Sequence, residues 1–169
     1  VMHLMNEFNS AITANDFDNA DEALAQVSSL DPENIALDGM ASQLMLKQER
    51  YQELLDWQET RPLEFRESAM ERYRRALALR HTGRQKEAIE VLQETKREIP
   101  SHVASRYELA LLLSLDGRTQ ESMNEYEGVL EWIEKGAEDG ARLIAGGQSL
   151  RDEVGGGKGF FISPTVFAD

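Results

Sequence analysis

The sequence has no cysteine, so disulfide bridges, thiolate metal sites and thiol nucleophiles are excluded together. Histidine is scarce as well: His3, His81 and His102 show no pair at metal-ligand spacing, so no metal site is expected. Long apolar runs are missing. The longest, Leu109 through Leu113, falls far short of the roughly 20 residues that span a bilayer, and no basic-then-apolar signal opens the chain. These absences point to a cytoplasmic protein without membrane insertion; the chain opens on Val1, so a targeting segment upstream would escape this reading.

Positive charge is lacking where the chain begins. Residues 1–46 hold no Lys or Arg but carry Glu7, Asp16, Asp18, Asp21, Glu22, Asp31, Glu33 and Asp38, and the whole chain has a net charge of -13. Such a field repels a phosphate backbone, which argues against nucleic acid as a partner. Arg72, Arg74, Arg75, Arg80, Arg84 and Lys86 crowd a later stretch. Glu71, Glu87 and Glu90 are interspersed among them, so solvated helix faces are favoured over a basic patch.

What is present is a repeat. The 169 residues are 41% hydrophobic, enough for one domain or a short array. Placing 69–102 over 103–136 matches Arg72 with Arg106, Tyr73 with Tyr107, Ala76 with Ala110, Leu77 with Leu111, Leu79 with Leu113, Gly83 with Gly117, Arg84 with Arg118 and Glu87 with Glu121. Chance would give about two identities. The same step runs back through Leu54 to Ala20 and through Met45 to Ala11, giving units of about 1–34, 35–68, 69–102 and 103–131. Each unit reads as two helices. In the third, Met70, Tyr73, Leu77 and His81 share one face and Ala76 and Leu79 the adjoining one; after the turn at Gly83, Ala88, Ile89, Val91, Leu92 and Thr95 form a second stripe. Gly83 and Gly117 stand where a left-handed cap stops a helix, and Pro32 and Pro100 stop the second helix of their units.

These residues resemble the tetratricopeptide repeat (TPR) family, whose 34-residue helix-turn-helix unit has small residues in both helices, a Gly at the turn and a Pro at the end. Units three and four fit best. Unit two departs, with Leu54 in place of a small residue and Pro62 early after Trp57, which predicts an irregular second helix. The resemblance implies an all-α superhelix over residues 1–131 whose concave groove, lined by the first helix of each unit, receives a peptide or partner helix. Asn9, Gln43, Lys47, Tyr73, Arg80, Tyr107 and Ser114 are the contacts it implies. Tyr73 and Tyr107 either bind there or pack between helices, and Arg72 and Arg106 either share that role or solvate the helix. The pattern by which some TPR proteins clamp a C-terminal carboxylate is absent, since Met2 and Met5 occupy the first unit's groove face.

From Trp132 onward the composition changes, and the tail 132–169 is Gly-rich and partly extended. A helix over 129–141 leads into Arg142-Leu143-Ile144-Ala145, then Gly146-Gly147, a flexible Gly155–Gly159 link and an extended Phe160–Phe167 segment. Ile133-Glu134-Lys135-Gly136, Gly140-Ala141-Arg142-Leu143, Gly159-Phe160-Phe161 and Pro164-Thr165-Val166-Phe167 are together similar to a stretch of the aldehyde dehydrogenase family, over residues 127–169. In that family this stretch is a helix, a strand and a further extended segment that supply no chemistry. The nucleophilic cysteine is missing here, and there is no room for a dinucleotide-binding domain.

The sequence therefore predicts a non-enzymatic protein-protein interaction module with no cofactor. Two alternatives are an inactive NAD(P)-dependent aldehyde dehydrogenase fragment fused to the repeats, and a structural module that forms a homodimer through its tail, an exposed strand edge being a route to pairing. The repeat reading has a direct check. Helices approach to about 8 Å only over a small side chain, so Ala110→Leu should overpack its crossing and lower stability by roughly 1–3 kcal/mol in urea unfolding.

Overall fold

Among the described residues, left-handed backbone outside the usual helical and extended regions occurs at Asn15 (φ 56°), Glu49 (φ 60°), Gly83 (φ 78°) and Gly117 (φ 77°), each 34 residues from the next. After each one the chain closes on the helix it has left. The next amide, of Asp16, Arg50, Arg84 or Arg118, donates to the carbonyl of Ala11, Met45, Leu79 or Leu113 at 2.9, 2.9, 2.8 and 2.9 Å. This bond satisfies a carbonyl that the helix end leaves open and reverses the chain within a few residues. The computed structural model describes residues 1–139, 142–145 and 166–168.

The helices that these turns join are α1 (Met2–Ala14), α2 (Phe17–Leu30), α3 (Leu37–Lys47), α4 (Tyr51–Glu59), α5 (Leu63–Arg66), α6 (Ala69–His81), α7 (Gln85–Glu98), α8 (Val103–Leu115) and α9 (Thr119–Glu138). The hairpins are α1/α2, α3/α4, α6/α7 and α8/α9. The second is the irregular one: α4 stops at Glu59 and the one-turn α5 follows Pro62. Two compact units divide the chain, Val1–Ala88 and Ile89–Asp169.

The position after each turn also repeats. Asp16 caps α2, accepting from the Asn19 amide at 3.3 Å and the Asn19 side chain at 2.6 Å. In the other hairpins that place holds Arg50, Arg84 and Arg118, whose Nε donates to Glu53, Glu87 and Glu121 at 2.8, 2.7 and 2.8 Å. These hydrogen bonds hold the three carboxyls below the usual carboxylate range. All three pairs are exposed to solvent, so they order the first turn of the helix more than they stabilise it.

In the Val1–Ala88 unit, Phe8, Ala11, Ile12, Ala20, Ala23, Val27, Met40 and Leu44 form one apolar cluster across α1, α2 and α3. Ala76, Ala78 and Ala88 are fully buried, as small residues at helix crossings should be. Between α3, α4 and α6 the packing turns polar. Glu71, 2% exposed, accepts from Ser42 Oγ at 2.5 Å and Gln58 Nε2 at 3.0 Å and pairs with Arg74, which also donates to the Gly39 carbonyl at 3.2 Å. Glu71 is thus no solvated carboxylate: a buried charge persists where several donors surround it. In the arginine-rich stretch Arg72 pairs with Glu67, Arg74 with Glu71, Arg75 with Glu59 and Arg84 with Glu87, while Arg61 and Arg66 before it pair with Asp38 and Glu59.

In the Ile89–Asp169 unit, α8 buries Leu109, Ala110, Leu112 and Leu113 while α9 buries Tyr126, Val129 and Ile133. Ser122 Oγ donates to the Ala110 carbonyl at 2.7 Å. Arg106 is not the exposed residue that its sequence suggests: its guanidinium meets Glu125 at 3.4 Å and Lys96 shares that carboxylate. Gly128 makes this possible, because a Cβ there would overlap the Arg106 guanidinium. Helix α9 runs unbroken from the last turn to Glu138, joining the fourth unit's second helix to the one expected over 129–141. Strand β1 (Arg142–Ala145) pairs antiparallel with β2 (Val166–Ala168), with Leu143 opposite Phe167. The Gly155–Gly159 link and the 160–165 part of the extended segment lie outside the described residues.

Two measurements follow from this packing. A Cβ at Gly83 meets nothing within 4 Å, so Gly83→Ala isolates the left-handed backbone penalty and should cost about 1 kcal/mol, whereas Glu49→Gly should gain about as much in urea unfolding. Burial first, then Tyr107 and Glu108, push the Tyr126 phenol from near 10 up to about 12. A raised folded value means that the stabilisation is complete below the ordinary pKa and is lost as pH climbs through the folded one. Thermal stability should therefore drop between pH 10 and about 12 more steeply in the native chain than in Tyr126→Phe.

Candidate functional site

The residues implied for a binding groove fall on first helices of the hairpins, where the apolar stripe leaves one face outside the core. On α1, Asn9 is exposed and lines a shallow recess of about 440 Å3 with Ser10, Thr13 and Ala14. Its backbone carbonyl accepts from Thr13 Oγ1 at 2.8 Å. On α3, Gln43 is half-buried and Lys47, in the last turn, is exposed. A lysine there suits the negative end of the helix dipole.

On α6, Tyr73 and Arg80 are both half-buried. The Arg80 guanidinium lies 3.1 Å from His81 Nε2, and the His81 ring stacks on Tyr51, centroids 4.4 Å apart and planes 8° from parallel. Burial, assisted by Glu49, raises the Tyr51 phenol above its usual range while Arg80 pulls the other way. Tyr51 and His81 are the members that sequence reasoning missed. Tyr51 opens a second helix, and only folding of α4 against α6 sets it over a first-helix residue.

On α8, Ser114 is exposed and Tyr107 keeps 41% of its surface open. One edge of Tyr107 meets Tyr126, ring centroids 5.7 Å apart at 71°. Tyr107 therefore packs and presents a face at once: its partner is the buried ring, and its free side remains outside. The matched arginines behave differently. Arg72 is 7% exposed and paired with Glu67, and Arg106 is engaged with Glu125, so both serve packing.

A larger cleft, of about 660 Å3, opens between α1 and α2, with Ser10, Ala11, Ala14 and Ala23 among its lining and Glu7, Asp16 and Glu22 charged. No sequence signal marked it, because its small residues read only as crossing positions. Among the described residues, no group of three or more His, Asp or Glu side chains is placed to hold a metal ion, and no helix is long and apolar enough to cross a membrane.

Comparison with known proteins gives two likenesses, one of sequence and one of fold. The aldehyde dehydrogenase family matches residues 118–169. Aldehyde dehydrogenase family 2 member C4 of Arabidopsis thaliana is 42% identical over 50 residues, 30% of this chain and 9% of that protein. Betaine aldehyde dehydrogenase of Rhizobium etli is 38% identical over 84 residues, 47% of this chain and 17% of that protein. The chain thus spans less than a fifth of these relatives. Among solved structures, MamA 41-end from Desulfovibrio magneticus RS-1 superposes with a TM-score of 0.63 at 17% identity, covering 78% of this chain and 75% of that one. MamA MSR-1 C2 gives 0.55 at 19% identity, covering 74% and 72%. The helical fold is that of a TPR-like helix-turn-helix solenoid, and the C-terminal residues resemble a fragment of the aldehyde dehydrogenase family.

Proposed function

We propose that the chain is an interaction module that binds a peptide or a partner protein on its first-helix faces and performs no chemistry of its own. The contacts are Asn9, Gln43, Lys47, Tyr73 and Arg80 in one unit and Tyr107 and Ser114 in the other. The observation that carries the reading is Tyr107, which leaves 41% of its surface in water while Leu109 and Ala110 of the same helix are buried. Aromatic faces of this kind anchor interfaces because they bury large area with few rotatable bonds. Lys47, Arg80 and the Tyr51–His81 stack add cationic and aromatic surface on α3, α4 and α6, which suits a peptide that offers apolar side chains and carboxylates. Solenoids of helical hairpins commonly use such faces for extended ligands.

The organisation that goes with this reading is a repeat array over 1–131 and a tail over 132–169. The family match favours a second reading for the tail, in which residues 118–169 are the remnant of an NAD(P)-dependent enzyme and act as a structural end to the array. Pairing of the β1–β2 ladder with another copy would then give a homodimer.

The test is a peptide array probed with the native chain and with Tyr73→Ala combined with Tyr107→Ala. The double variant should lose about tenfold in binding per anchor removed, while its far-ultraviolet circular dichroism stays at the native level. Unchanged binding of every captured peptide, or an array with no native binder, would overturn the reading.

A further inference from the structure

We draw no further inference here: the strongest candidate, the exposed apolar side chains Leu30, Ile35 and Leu63 at the junctions between successive hairpins of the Val1–Ala88 unit, carries nothing because nothing in the structure shows what covers them.

Discussion

Each hairpin depends on reversing a helix within two or three residues, and the backbone permits this only if one residue turns left-handed. The next amide can then reach back across the last turn and close on a carbonyl that the helix would otherwise leave open. Asn15, Glu49, Gly83 and Gly117 all do so, with near-identical bonds from the residue that follows. Once the reversal is fixed, the second helix has a fixed starting point, and the side chains that meet across the hairpin follow from the 3.6-residue period. The small residues act within that frame: Ala76, Ala88 and Ala110 are wholly buried because the turns bring the crossings to them.

Glycine marks only two of the four turns. Asparagine adopts the left-handed conformation with little penalty, but glutamate at Glu49 does so against its own preference. The hairpin that carries Glu49 is also the one with a shortened second helix and the extra turn α5. Its neighbours meet through Glu71, Ser42, Gln58 and Arg74 instead of through aliphatic side chains. A buried network with several donors tolerates no slip in register, because moving one partner would leave a charge without hydrogen bonds. The second hairpin thus gives up local regularity and is held by specific polar contacts. The fourth is held differently again, by Arg106 laid over Gly128 to reach Glu125.

The two faces discussed above arise from the same geometry. Packing buries the stripe at Phe8, Ala11 and Ile12 and its counterparts, and whatever lies opposite that stripe on a first helix is left to solvent. On α8 this leaves Tyr107 outward beside a buried Tyr126. On α1 it leaves a cleft with an acidic rim.

The 34-residue period, the helix pairs, the crossings at Ala76 and Ala110 and the irregularity after Trp57 were all legible in the sequence. They are local: each rests on backbone propensity or on the spacing of small and apolar residues along a few turns. The resemblance of the tail to an enzyme fragment was legible for the same reason, being carried by short strings, though the family match extends back to residue 118 and so includes the whole of α9. The tertiary structure alone decided that Glu71 and Arg72 are buried, that Arg106 lies over Gly128, that Tyr51 stacks on His81, and that α1 and α2 leave an open cleft. Each of these depends on which residue from a distant helix arrives opposite, and for a charged or aromatic side chain that neighbour, not its own chemistry, sets whether it is solvated, paired or presented.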